Sequence, residues 1–251
     1  MLGAIIGDIV GSRFEFNNHR DENFELFSKG CFFTDDTVLT AATAEAILRN
    51  ESFAKTYRQW FNQYPLLSYG TKFIEWAAGS CLLPYNSYGN GAAMRVSPCA
   101  YVYKELTACL ALAEQSASAT HNHPQGIKGA KAVVHSIFLA LNNKTKKEIK
   151  EAIEAEYYEM DFNLEHLKQY YKFNETCQDT VPQAIYTFLI SNSFEDSIRK
   201  AISIGGDSDT VAAINGSIAE AYYGIPKPIA DKAYEVLPAK IKKIIKQFKS
   251  I

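Results

Sequence analysis

Six oxygen-bearing side chains fall into two short runs, each at the start of an apolar, small-residue helix. FTDDTVLTAATAEA carries Thr34, Asp35 and Asp36, and GGDSDTVAAINGS carries Asp207, Asp209 and Thr210. Asp and Thr are favoured at helix starts because they accept hydrogen bonds from unpaired N–H groups and complement the positive end of the helix dipole. One cap per helix is enough, so capping leaves a surplus of acid, and neighbouring carboxylates repel unless a cation or a proton intervenes. If the two starts meet in space, Asp35, Asp36, Asp207 and Asp209 with the hydroxyls of Thr34 and Thr210 make an all-oxygen donor set suited to a hard divalent cation. That much negative charge would hold two ions, with magnesium the first expectation and manganese the second. An EF-hand is excluded by the missing loop glycine and terminal glutamate, and zinc is disfavoured because no Cys/His cluster is present.

A second pattern, SYGNGAAMR, runs from Ser87 to Arg95 just ahead of an expected helix. Glycines there let backbone N–H groups approach an anion that a Cβ would keep away, and a helix start adds positive potential. A plain turn explains the same residues, and Tyr88 beside them either stacks on a base or fills the surface. The run from Asp207 to Val211 also fits the DxDx[TV] pattern of magnesium-assisted phosphatases, whose first aspartate is the nucleophile. Those enzymes set the motif behind a buried strand of a doubly wound sheet, and this chain offers helices there.

The elements that must position these groups are helical. Apolar residues recur at helical spacing through nearly every long segment, and convincing alternating strands are hard to find, so the fold class is all-α. Helices are expected from Thr34, from near Ser52, and over 104–117, 127–143, 145–158, 181–190, 194–204, 210–224 and 239–250. Pro182, Pro226 and Pro238 fall near the starts of such segments, where a missing N–H is tolerated. The last segment puts Ile241, Ile244, Ile245, Phe248 and Ile251 on one face, expected to pack on the core. The 251 residues are read as one domain, 1–251, with a formal net charge of −2 and 22% charged residues, which gives nucleic-acid binding no support. MLGAIIGDIVG lacks a positive lead-in and is interrupted at Asp8, so it reads as a buried first helix rather than a secretory signal. No apolar run is long enough for a membrane span. The cysteines Cys31, Cys81, Cys99, Cys109 and Cys177 show no CxxC, so buried reduced thiols and a cytoplasmic location are expected.

In this order along the chain, GAIIGDIVGSRFEF, FTDDT, SYGNGAAMR, THNHPQGIKGA, TVPQAIYTFL and SIGGDSDTVAAINGSIAEAYYG resemble the ADP-ribosylglycohydrolase family, from about Gly3 to Gly224. The resemblance implies a compact single-domain helical fold with two magnesium ions in a central cleft. It implies Thr34, Asp35, Asp36, Asp207, Asp209 and Thr210 as metal ligands, and a loop of Ser87, Tyr88, Gly89, Asn90 and Gly91 that cradles the diphosphate and adenosine, with Tyr88 on the adenine side. Glu15 falls where serine-directed members resemble this chain with a glutamate on a mobile loop that reaches a metal. Glu15 and Asp36 are the candidate catalytic carboxylates, and Asp8 is a supporting group behind the ligands. His121 matches a histidine close to the bound ribose and phosphate, whereas His123 matches nothing. The implied activity is magnesium-dependent cleavage of the glycosidic bond between ADP-ribose and a modified protein side chain, with arginine expected, by a monomer. A nucleic-acid adduct stays open as substrate, and a non-catalytic, crystallin-like ADP-ribose-binding protein is the other alternative. GAAMR stands where some relatives resemble GGAMR, the long insertions of serine-directed mammalian members are missing, and the loop Asn17 to Gly30 is the chain's own.

Overall fold

LGAIIGDIVG offers Asp8 as its one charged residue, and as helix α1 (Leu2–Gly11) every residue of it is buried. The computed structural model describes residues 1–250 and carries the chain on through α2 (Asp35–Arg49), α3 (Phe53–Gln63), α4 (Thr71–Ala78), α5 (Gly91–Met94), α6 (Leu106–Ser118) and α7 (Pro124–Leu141). There follow α8 (Lys146–Glu156), α9 (Leu164–Tyr170), α10 (Val181–Leu189), α11 (Phe194–Ser203), α12 (Ser208–Tyr223), α13 (Lys227–Val236) and α14 (Ala239–Phe248). The one β-type pairing among the described residues is an isolated antiparallel bridge between Gly89 and Thr176, so the fold is all-α as expected. Ile251, assigned to the apolar face of the last helix, lies outside the described residues.

Two helices from opposite ends of the chain form the centre. Gly3, Gly7 and Gly11 recur every four residues and so share one face of α1, and that face lies directly on the backbone of α12. A Cβ on Gly3 would fall inside the carbonyl of Gly216, one on Gly7 inside that of Ala212, and one on Gly11 would lie 2.5 Å from the Asp209 Cα. Only hydrogen fits between these backbones, which is why the approach needs glycine. α2 packs beside α1 and is covered outside by α3 and α14, while α7, α10 and α11 flank α12. The buried face of α14 is Ile241, Ile244, Ile245 and Phe248, so this lysine-rich helix belongs to the core.

Local signals account for most boundaries. Thr34 caps α2 by accepting from the Asp36 N–H, and Thr145 with Glu148 forms a reciprocal capping box at α8. α7 starts at Pro124, earlier than periodicity indicates, because His123 caps it with its ring and Pro124 takes the first turn. α4 and α9 are too short for periodicity to disclose, and α13 is announced only by Pro226. Cys31, Cys99, Cys109 and Cys177 are buried free thiols, whereas Cys81 is exposed, contrary to the expectation of burial.

Candidate active site

At the start of α2 the capping is done by groups other than the two aspartates. Thr34 caps from one side, and Asp8, reaching across from α1, accepts from the N–H groups of Thr34 at 2.9 Å and Thr37 at 3.0 Å and from the Thr34 hydroxyl at 2.7 Å. Asp35 and Asp36 are thereby left to face the cavity. Asp36 Oδ2 accepts from the Thr210 hydroxyl at 3.3 Å, and its Oδ1 is buried with no hydrogen-bond partner. At the start of α12, Asp207 occupies the cap position without capping, and instead accepts from the Asn90 amide at 2.7 Å. Asp209 takes the Thr210 N–H at 2.9 Å.

The chain enters α12 through Gly205 and Gly206, both at positive φ, 70° and 76°. That left-handed pair turns Asp207 and Asp209 inward. Asn18 spans this turn and the loop after α1: its amide nitrogen donates to Phe14 O at 2.9 Å and Gly206 O at 2.8 Å, while its oxygen accepts from Gly206 N–H at 2.9 Å. Arg20 fastens the same loop by donating to the carbonyls of Lys168 and Tyr171. Glu15 is thus a buried acid beside Asp207, and the alternative of a solvated loop residue does not hold.

Two groups of carboxylates result. Asp8, Asp36 and Asp209 each present an oxygen within 4.8 Å of the others, and so do Glu15, Asp207 and Asp209. Burial is the first cause that pushes these carboxyls upward, and neighbouring acids add to it for Asp35, Asp36 and Asp209, which lie well above the usual range. Glu15 is pushed up to about 7 by burial and then by Asp207, and Asp8 and Asp207 to about 6, chiefly by burial. A cluster that resists full ionisation by itself, holds only oxygen donors and contains an orphaned carboxylate oxygen fits a hard divalent cation. Asp209 is common to both groups, and of the others Asp8 is already occupied by Thr34 and Thr37, which leaves Asp36, Asp207 and Glu15 beside it. Asp35 and Thr210 line the same cavity, while Thr34 is fully buried behind it with its hydroxyl proton given to Asp8.

The cavity has a volume of about 310 Å³, and its walls carry the acids together with Ser87, Gly89, Asn90, Gly91 and His121. Asn90 joins the loop to the acids, since its amide reaches Asp207 and its N–H donates to the Glu175 carbonyl at 2.7 Å. Gly91 sits where a Cβ would come within 3.3 Å of His121 Nε2. Tyr88 is half-exposed outside the cavity lining, its ring 5.3 Å from that of His123. His123 is accounted for as the α7 cap, with Nδ1 accepting from the Gln125 N–H at 3.1 Å. The sequence model described as ADP-ribosylglycohydrolase matches residues 1–249. The chain belongs to the ADP-ribosylglycohydrolase family.

As a member of this family it is a hydrolase of ADP-ribose glycosidic bonds. It is 25% identical to the ADP-ribosylhydrolase ARH3 of Homo sapiens, with 90% of this chain and 84% of that protein covered. It is 26% identical to the ADP-ribosylarginine hydrolase Tri1 of Pseudomonas putida, covering 90% of this chain and 70% of the relative. The fold matches that of a solved ADP-ribosylglycohydrolase-related protein complex with a TM-score of 0.73 at 22% identity, over 98% of this chain and 95% of the other. The phosphatase alternative falls here, because Asp207 follows helix α11 and a Gly-Gly turn rather than a buried strand.

The glycohydrolase cavity also contains residues that motif reading passed over. Ser68, Lys72, Tyr85, Arg95 and Glu175 all line it. Arg95 closes the SYGNGAAMR run, so its position was visible; nothing local marks the other four, which lie on connections between helices or in short α4. No helix among the described residues is long and apolar enough to cross a membrane.

Proposed function

We propose that this protein is a magnesium-dependent, single-domain hydrolase that releases ADP-ribose from modified arginine side chains of proteins. The observation that supports the reading is the meeting of Asp36 with Asp209, and of Asp209 with Asp207 and Glu15, in a cavity that a glycine loop also lines. Asp35, Asp36, Asp207, Asp209 and Thr210, with Glu15, would hold the ions, and Thr34 and Asp8 would brace them. Bound divalent metal supplies charge that fixes ribose hydroxyls and lowers the pKa of water. The glycine loop receives the diphosphate. Cleavage breaks the bond between the anomeric carbon and the side-chain nitrogen, with the electron pair leaving on nitrogen, and the water oxygen bonds to that carbon. Asp36 and Glu15 are the carboxylates placed to accept the water proton, and a proton ends on the departing nitrogen.

Arginine is favoured by a shallow groove that continues from the cavity past Glu15 and Glu175. Phe16, Phe32, Leu66 and Phe173 line it, and Phe16 is 81% exposed. The rings of Phe16 and Phe173 stack at 6.1 Å. Phenyl rings lining a groove together with two acids suit a flat, delocalised guanidinium better than a serine hydroxyl.

Incubation with ADP-ribosyl-arginine and ADP-ribosyl-serine substrates tests this. Release of ADP-ribose from the arginine substrate with magnesium, and none with EDTA, is expected; no release from either substrate would refute the reading. Glu175→Gln combined with Phe173→Ala is expected to raise KM for the arginine substrate about tenfold, the effect of roughly 1.4 kcal/mol of lost cation recognition. Magnesium alone is expected to raise the melting temperature, since ion at a hundred times its Kd stabilises the native state by about 2.7 kcal/mol. A melting curve indifferent to magnesium and manganese would remove the metal from the proposal.

A further inference from the structure

Arg95 is fully buried, yet no carboxylate pairs with it among the described residues. Its guanidinium lies 4.2 Å from the centre of the Tyr57 ring, and its Nε and Nη1 have no hydrogen-bond partner. A buried cation without a counter-charge is costly, so it is retained against its own desolvation. Its one short hydrogen bond runs from Nη2 to the Thr120 hydroxyl oxygen at 2.7 Å, with a longer one to the Ser116 carbonyl at 3.4 Å.

Thr120 passes this bond on. Its hydroxyl lies 2.7 Å from His121 Nδ1. With the Arg95 donor occupying one side of the Thr120 oxygen, the hydroxyl proton is free to point at Nδ1, and in that arrangement Nδ1 accepts. Tyr85, whose hydroxyl also faces Thr120, keeps its proton because burial pushes it up to about 12, and can donate that proton to the Thr120 oxygen as Arg95 does, which leaves the Thr120 proton for Nδ1. The His121 ring is buried, and burial first, then the Arg95 charge, hold it neutral. A neutral ring that accepts at Nδ1 carries its proton on Nε2. Nε2 makes no hydrogen bond within the described residues and lies 3.4 Å and 3.3 Å from where Cβ atoms on Gly89 and Gly91 would stand.

We propose that Arg95 and Thr120 are positioning residues that hold His121 in the Nε2–H form, as a fixed neutral donor between Gly89 and Gly91 to an anionic oxygen of a diphosphate-bearing ligand. The ligand half of this rests on the proposed function; the tautomer does not. A donor already turned toward the glycine loop needs no reorganisation when the ligand arrives, and the uncompensated charge of Arg95 behind it favours the anion electrostatically.

Long-range proton–nitrogen correlation spectra of the histidine-labelled protein at neutral pH test the tautomer, with His121→Gln used to assign the signals. The expected wild-type spectrum has Nε2 protonated and Nδ1 bare. Thr120→Val, close in shape but without the hydroxyl, is expected to give mixed tautomers and an about tenfold weaker calorimetric Kd for ADP-ribose, the size of one lost hydrogen bond. Thr120→Ser is expected to restore both. A wild-type ring protonated on Nδ1, or a Thr120→Val protein whose tautomer and affinity are unchanged even if it melts lower, overturns the proposal. An Nε2–H ring in a wild-type protein that binds no ADP-ribose overturns the donor role and the proposed function together, and leaves only the relay.

Discussion

Asp209→Asn is expected to lower turnover on the ADP-ribosyl-arginine substrate by about a thousandfold or more while the metal-free protein melts higher than wild type. Both halves come from the position of Asp209 in both carboxylate groups. A bound ion stabilises developing charge by several kcal/mol, and about 1.4 kcal/mol corresponds to each factor of ten in rate. Without metal, the same carboxylate is buried among Asp207, Asp36 and Glu15, which repel it. An amide removes that repulsion, and its oxygen can still accept the Thr210 N–H that Asp209 takes at 2.9 Å, so the start of α12 is kept. Rates of ADP-ribose release and melting in EDTA give the two readings, and the metal-induced rise in melting temperature should vanish in the variant. Full retained activity, or a lower melting temperature in EDTA, would show that Asp209 serves the fold rather than an ion. Asp35→Ala and Asp207→Ala are expected to lose activity in the same way, with far-UV circular dichroism still helical.

The second large effect belongs to the scaffold. Gly7→Val is expected to destabilise the protein by more than about 4 kcal/mol, enough to leave little of it folded, because its side chain meets the backbone of α12 rather than a movable side chain. Gly70→Ala is the control. It stands at an ordinary negative φ with nothing within 4 Å of an added Cβ, so its urea midpoint should match wild type. A Gly7→Val protein that unfolds at the wild-type midpoint would mean that α1 and α12 separate without cost.

The contrast between these positions shows what was legible in the sequence. Helix class, most helix starts and the convergence of acids from 34–36 and 207–210 could be read from residue type and spacing, because capping chemistry and charge surplus are local signals. The pairing of α1 with α12 was also written locally, as Gly3, Gly7 and Gly11 four apart, but a glycine ridge does not name its partner. Asp8 was legible as a support, whereas its particular work, relieving Asp35 and Asp36 of capping, depends on a crossing of α1 and α2 that no local pattern encodes. Glu175 and Tyr85 are ordinary loop residues in sequence and become cavity walls only through the packing of distant turns. Tyr88 illustrates the reverse case, since its place in the motif points to the cavity and its side chain stands outside the lining, against His123.

The contact between Gly3, Gly7 and Gly11 and the backbone of residues 209–216 also sets a timetable for biosynthesis. Roughly 200 residues separate the two strips, so at about 5–20 residues per second the ribosome delivers the second some 10–40 s after the first. Throughout that interval α1 can find α2 but not the backbone that its glycine face fits, and long-range closure of this kind is slow in any case. The apolar glycine face of α1 therefore stays uncovered until then, and the acid-lined cavity cannot be completed before residues 207–210 have been made.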